Sequence, residues 1–543
     1  LPAHAGGGAG DEAAAGYAQA RQHPRKPRLN LDEALGGTAP DRLFLACTLY
    51  LLLPALIFAG GFLAWPWAVA SLIAGVAGLA LLPGWRGAWP LGWQATLACL
   101  AGGLAWGFGS SGTHHLLHAP MDWQIRDAVL RDLATYPWPL AYEVGDATWL
   151  LRAPLHYYLP AALAGPWLAQ ATLYAWTALG LALVLALLAR LARQVAPGRP
   201  GAPALVALVF AGFGGLDLLP NLWLDLTEGG GLAAFWGRGG EWWARIFQYS
   251  GHVTLLLWVP NHALAGWIPV LLLLRHGRQP AFLRVAALPL AAAAGWSPLA
   301  ALGAGLLTGM AALLGGWRLV RAALRGGANW LAVGLVVPLG LYLTAGSGEI
   351  PHWALLERHG WPVLPRLGLF LSLEFGITAL AVGLLLRSRL LVAGLVLLAL
   401  LPLYVFGPGN EMTMRTGIAA LAVLAVAAGL ALARAAPGWQ RGVLATAVLV
   451  GAAGQAMEAS VLTHRPWRAS RDCTLPEAAA QSVFDATDWS HYVMRWPEEG
   501  LRGVLAPLRL VPVQPDAVAR CWPDQGATGT GSIGIASAAA AGR

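Results

Sequence analysis

The stretch HHLLHAPMDWQIRDAVLRDL sets two carboxylates, Asp122 and Asp127, around one guanidinium, Arg126. A carboxylate held beside a partly dehydrated site can take a proton from an attacking hydroxyl. Asp122 therefore reads as a general-base candidate, Asp127 as its alternative, and Arg126, one helical turn after Asp122, as a substrate-binding candidate. From Trp123 to Leu133 the apolar residues recur at helical spacing, with Asp122 at N-cap position and Pro137 and Pro139 ending the helix. A carboxylate at that position can also do no more than cap the helix.

The same stretch places His114, His118 and Asp122 at i, i+4 and i+8. On an unbroken helix these would line up as ligands for a divalent metal ion, the one cofactor the sequence suggests. Pro120 interrupts that helix, and the histidines read equally as hydrogen-bonded interface residues. A second group lies in EWWARIFQYSGHVTLLLWVPNHALAGW: Glu241, Gln248, Tyr249, His252, Asn261 and His262. Polar residues at the mouth of an apolar run, or within it, face either a cavity or a partner helix, so all six are substrate-binding candidates. In GPGNEMTMRTGIAALAVL, Glu411 and Arg415 stand at i, i+4. Either they pair with each other, or the Arg415 fork is offered to a phosphate.

The elements that must hold these residues are membrane helices. The chain has 543 residues, 57% hydrophobic and 11% charged, against about 25% charged in an ordinary soluble domain. Mean hydropathy is +0.57. These values exclude a disordered chain, a coiled coil, a secreted disulfide scaffold and a typical soluble enzyme. Long apolar runs separated by short polar breaks predict an all-α polytopic membrane protein. About thirteen spans are expected, near 43–60, 62–82, 92–109, 168–192, 203–219, 253–274, 282–296, 298–316, 329–345, 367–386, 389–406, 414–434 and 442–460.

With the N-terminus placed inside, the basic residues concentrate in inner loops, as the positive-inside rule requires. The net charge of +8 is then a record of topology rather than of nucleic-acid binding. Beyond the N-terminal tail, Asp and Glu are absent from the inner loops and gather outside. Residues 1–41 read as a disordered cytoplasmic tail, 42–460 as the transmembrane domain, and 110–167 as a large outer loop whose amphipathic helix lies on the membrane surface. Residues 461–524 read as a small extracytoplasmic domain and 525–543 as a disordered end. Cys473 and Cys521 pair if that domain faces an oxidising compartment and otherwise stay free, while Cys47 and Cys99 sit in apolar runs. No Walker loop, dinucleotide fingerprint or Cys-x-x-Cys pair is present.

Three segments, MDWQIRDAVLRDLATYPWPL, EWWARIFQYSGHVTLLLWVPNHALAGW and GNEMTMRTGIAAL, together resemble a little-characterised family of bacterial polytopic membrane proteins of GT-C glycosyltransferase type, over roughly residues 110–430. The resemblance implies a plasma-membrane enzyme that moves a hexose or pentose from a polyprenyl-phosphate-linked donor in the lipid bilayer. The acceptor would be a glycan, lipid or protein met on the extracytoplasmic face. It also implies a first-outer-loop carboxylate as base, best matched by Asp122 and next by Asp127, with Arg415 on the donor phosphate. The chain departs from the pattern in two ways: the loop follows the third expected span, and Trp123 takes the place of a second acid after Asp122.

Two other classes fit the same composition. A transporter or lipid flippase would rely on the intramembrane acids Asp217, Glu374 and Glu458. A noncatalytic membrane assembly partner would need no single outer carboxylate.

Overall fold

The computed structural model describes residues 28–110, 112–228, 240–482, 492–513 and 521–522. Of the expected tails at 1–41 and 525–543, residues 1–27 and the whole of 525–543 lie outside the described residues. The architecture is mainly helical, with a small sheet at one end.

Among the described residues, seven helices are long and apolar enough to cross a membrane: Arg42–Phe62, Trp65–Arg86, Ala169–Val195, Gly327–Thr344, Trp361–Gly383, Glu411–Arg434 and Trp439–Thr463. They account for seven of the thirteen expected spans. The other six are shorter, broken or less apolar. The run at 203–219 breaks after helix Ala202–Ala211 and resumes only at Leu218, the start of Leu218–Glu228, and the run at 298–316 is helical over Pro298–Leu314. The run at 253–274 divides at Val259, giving His252–Trp258 and Pro260–His276. Proline tolerates the first position of a helix because it has no N–H to leave unpaired there, so Pro260 starts a new helix rather than continuing the old one. The run at 282–296 is two short pieces, Pro280–Leu283 and Ala287–Ala294. Helix Glu411–Arg434 is the central element, with its most apolar stretch wholly buried.

The segment ahead of the first span is ordered where it is described. Asp41 caps helix Arg42–Phe62 by accepting from the backbone N–H groups of Leu43 and Phe44. The same carboxylate takes a two-pronged bond from Arg275, at 3.0 and 2.5 Å. Asp32 accepts from the Ser388 hydroxyl and the Arg389 N–H, and Leu29–Asn30 pairs in parallel with Leu386–Arg387. Residues 28–41, expected to belong to a disordered tail, thus bring carboxylates to loops that are otherwise basic. That complementarity is the physical reason they are fixed.

At the other end of helix Arg42–Phe62, the first large loop and the C-terminal segment form one structure. Strands Leu140–Val144 and Ala147–Leu151 make a hairpin flanked by Val493–Trp496 and Arg509–Pro512. The helix end joins them: Ala64 N–H donates to the Val504 carbonyl, and Ala506 N–H to the Phe62 carbonyl. The loop helix Asp122–Thr135, expected to be amphipathic, packs inside the protein. It is buried along almost its whole length, from Trp123 to Leu130 and again at Asp132 and Leu133. Gly112 allows this depth, because a Cβ there would come within 2.1 Å of the Trp123 indole nitrogen. That nitrogen instead donates to the Leu257 carbonyl, tying the loop helix to the end of His252–Trp258.

Candidate functional site

Helix Asp122–Thr135 begins one residue earlier than capping by Asp122 would require. Met121 occupies the N-cap, no side chain caps the helix, and Asp122 is the first helical residue. Its carboxylate is therefore free of the structural duty that competed with a chemical one. Asp122 lies deep among protein atoms yet keeps 28% of its side chain exposed, the combination expected of a group lining a cavity. Burial pushes its pKa above the usual carboxylate range, against the opposing pull of Arg126 and Arg415.

Arg126 follows one turn later on the same face and is almost fully buried. Its Nη1 donates to the Tyr158 hydroxyl and to the Asn261 side-chain carbonyl, each at 3.1 Å. Its Nη2 stays 3.9 Å from Asp122, and its Nε finds no partner among the described residues. Asn261 is fixed in turn by donating to the Trp296 carbonyl, 3.0 Å away, and its amide lies 3.3 Å from His262 Nδ1. Both residues sit in the first turn of Pro260–His276, whose N-terminal end carries partial positive charge. Tyr492, at the start of the C-terminal strand, stands within electrostatic reach of Arg126 and Tyr158.

Arg415 completes the group. It lies on helix Glu411–Thr416, within electrostatic reach of Asp122 and His262. Gly303 lets that helix approach closely, since a Cβ there would meet the Thr416 carbonyl oxygen at 2.1 Å. The i, i+4 pair with Glu411 does not form. Glu411 turns toward Gly407, and Arg415 makes no hydrogen bond or ion pair with any described residue. The site therefore carries two guanidiniums against one carboxylate, a balance that favours an anionic ligand.

The structure brings together Asp122, Arg126, Asn261, His262 and Arg415 of the candidates read from the sequence, and adds Tyr158 and Tyr492. The remaining candidates go elsewhere. Asp127 is buried and is engaged by His115, whose Nε2 lies 2.8 Å away. Glu241 accepts from the Gly251 N–H, from Gln455 and from Gln248, and so braces the start of His252–Trp258. Tyr249 donates to the Leu398 carbonyl and stacks on Phe370. His252 bonds the Phe210 carbonyl among Phe210, Phe213 and Trp267. Each of these residues makes hydrogen bonds inside the protein, although His252 Nε2 finds no partner among the described residues, which is why depth in an apolar run did not distinguish them from cavity residues.

The metal alignment fails for a geometric reason. His114 ends a short 3-10 turn and bonds the Phe108 carbonyl, His118 bonds the Arg465 carbonyl, and the helix starts only at Asp122. Among the described residues, no three His, Cys, Asp or Glu side chains are grouped to hold a metal ion.

A second polar group lies apart from the first. The Trp243 indole donates to Asp217, at 2.9 Å, and to Glu374, at 3.3 Å, so one N–H bridges two buried carboxyls. Glu374 sits on a π-helical turn, Ser372–Gly376, and Glu458 accepts from the Gly240 N–H nearby. A groove of about 490 Å³ beside the four-stranded sheet is lined by Trp496, Arg502 and Leu508 among others, and by no member of either group.

No protein-family model, curated protein or solved structure matches the chain.

Proposed function

We propose that the protein is a membrane glycosyltransferase that moves a sugar from a polyprenyl-phosphate donor to an acceptor on the extracytoplasmic face of a bacterial plasma membrane. The observation that carries this reading is Arg415: a half-buried guanidinium with no partner among the described residues, beside a partly exposed carboxylate whose pKa is raised. In the proposed reaction an acceptor hydroxyl oxygen attacks C1 of the sugar. Asp122 receives the hydroxyl proton as the C1–O bond to phosphate breaks, and polyprenyl phosphate leaves with that electron pair. Arg415 and Arg126 offset the negative charge that grows on the departing phosphate. A single displacement of this kind inverts the anomeric centre.

The disulfide between Cys473 and Cys521 supports placing the C-terminal segment, and with it the site, on the oxidising side. The sequence resemblance to GT-C proteins supports the donor class.

Native mass spectrometry of gently purified protein tests the reading. The expected result is a retained polyprenyl phosphate, or its sugar-loaded form, that disappears from Arg415→Ala. Equal retention by the variant removes Arg415 from the donor site. Bulk phospholipids alone in both samples shift the weight to the second reading.

That second reading is a proton-coupled transporter or lipid flippase, favoured by the buried carboxyls Asp217 and Glu374 under one indole. It predicts gradient-driven solute or lipid movement in vesicles that Glu374→Gln abolishes, with Asp122→Asn unaffected.

A further inference from the structure

His115 is the point where the loop ahead of helix Asp122–Thr135 meets the C-terminal segment 464–482, and its two ring nitrogens face two acceptors. Nε2 lies 2.8 Å from the Asp127 carboxylate, an ion-pair contact whose N–H is off the line to the oxygen, and Nδ1 lies within hydrogen-bond reach of the Trp467 carbonyl oxygen at 3.0 Å. A neutral imidazole has one N–H and can donate to only one of them. Both contacts are made together only by the imidazolium. We propose that protonated His115 is a latch holding segment 464–482 against the loop that leads into helix Asp122–Thr135, and that loss of its proton opens the latch.

The surroundings fix which contact is lost. Asp127, on the loop helix, is buried and among the described residues has as a further donor only the neutral Gln170 amide, 3.4 Å away. It keeps the remaining N–H, because a hydrogen bond to a charged group is the stronger of the two. The lone pair left on Nδ1 then faces the Trp467 carbonyl, and two acceptors repel. From its own segment His115 feels the neighbouring His114 and His118. From the C-terminal segment it meets the Trp467 ring edge-on at 4.5 Å, and from the loop helix also the Trp123 ring. Burial alone would lower its pKa, but the Asp127 charge and the two hydrogen bonds raise it above the usual value. The contact is therefore complete below the ordinary histidine pKa and is lost as pH rises through the raised one.

The other contacts of this segment need no such proton. His118 has one acceptor, the Arg465 carbonyl, which a neutral ring satisfies. Trp467 Nε1 donates to the Ala119 carbonyl, and Arg131 Nε to the Arg471 carbonyl. Asp132 accepts from the Leu475 N–H. Deprotonation of His115 thus loosens one end of the segment while the Asp132 anchor and the disulfide hold the other. The inference stands on this geometry whether or not the nearby site transfers a sugar.

Two measurements on the full-length protein in nanodiscs test it. Exchange of the histidine ring C2 hydrogen, followed by mass spectrometry, gives the His115 midpoint in the wild type. A midpoint above about 6.5 is expected, and one at or below that value overturns the latch. Backbone amide exchange across 466–471, corrected for the intrinsic pH effect, is expected to quicken on the order of tenfold as pH crosses that midpoint. His115→Asn, a residue that tolerates the left-handed backbone found there (φ 53°), is expected to exchange fast at both pH values. If the pH dependence survives in His115→Asn, or is abolished instead by His118→Asn or Asp132→Asn, the latch is not His115.

Discussion

Arg126 and Asp122 stand 3.9 Å apart, close enough to attract and too far to share a hydrogen bond. The near partners of the guanidinium are neutral, the Tyr158 hydroxyl and the Asn261 amide oxygen. A buried cation without a close counter-ion is costly unless something else supplies negative charge. Asn261→Asp supplies it. This variant gains an ion pair but loses the amide bond to the Trp296 carbonyl, so its melting temperature is expected to stay within about 2 °C of wild type, while retention of the anionic lipid is abolished. Thermal unfolding and native mass spectrometry on the same sample check both halves. A variant that folds as well as wild type but still binds would show that the Arg126 charge does not serve a ligand.

Asp132 is fully buried and joins three parts of the chain: Arg131 at its own helix, Tyr142 on the hairpin and the Leu475 N–H of the C-terminal segment, each at 2.8 Å. Burial outweighs these bonds and pushes its pKa up to about 6. In an unfolded chain the value is about 3.9. Between those values the folded protein holds a proton that the unfolded chain has released, so stability falls as pH rises from about 4 to about 6 and is flat above. Asp132→Asn is expected to cost about 1–3 kcal/mol through the lost ion pair and the misplaced amide donor. Denaturant titrations at several pH values should show wild type losing stability over that interval relative to the variant. Parallel curves would mean that Asp132 does not titrate there.

The disulfide links Cys473, next to the segment resting on the loop helix, with Cys521, 48 residues later. Cys521 N–H also donates to the Gln481 side chain. Opening a loop of that length is expected to cost about 4 kcal/mol through the unfolded chain. Cys473→Ser with Cys521→Ser should therefore unfold at lower denaturant than wild type, and reducing agent should lower the wild-type midpoint to the same value. A midpoint insensitive to reductant would place the two cysteines apart in the working protein.

At the opposite end, Arg275 is buried and its two-pronged bond to Asp41 also orients the cap of the first span. Arg275→Met is expected to destabilise by about 3 kcal/mol, because Asp41 is left without its counter-charge. Adding Asp41→Asn to it should recover part of that loss, since the cap oxygen survives and the unpaired charge is gone. Strict additivity of the two substitutions would show that the pair does not interact.

The sequence made the membrane helices legible because apolar length is a local property, readable without knowing what packs where. It also pointed to Asp122, Arg126, Asn261, His262 and Arg415, each set apart by chemistry that an apolar run does not need. It could not separate these from Glu241, Tyr249 and His252, because a polar group facing a cavity and one facing a partner helix have the same local pattern. Only the packing shows that Gln455 and Gln248 satisfy Glu241 while nothing described satisfies Arg415. Tyr492 was out of reach for another reason. It comes to Arg126 through a strand pairing between residues more than 300 positions apart, and such pairing leaves no periodic signal in either strand. The break at Val259 was visible as a proline, yet its consequence, a helix start carrying Asn261 and His262, depends on which helices surround it.

The two candidate bases are five residues apart on one helix and point to different places, so their variants should behave oppositely. Asp122 neither caps the helix nor anchors a buried contact, and Asp122→Asn keeps its shape. It is expected to fold like wild type, to retain the polyprenyl phosphate proposed to sit on Arg415, and to transfer sugar at least about 100-fold more slowly, the scale of a lost general base. Asp127 is occupied by His115 in a buried pair. Asp127→Asn is expected to lose about 2 kcal/mol of stability and to keep transfer within a few-fold of wild type. Turnover of a radiolabelled donor, with unfolding midpoints for each variant, separates the cases. Full activity in Asp122→Asn, or loss of activity without loss of stability in Asp127→Asn, would reverse the assignment of the base.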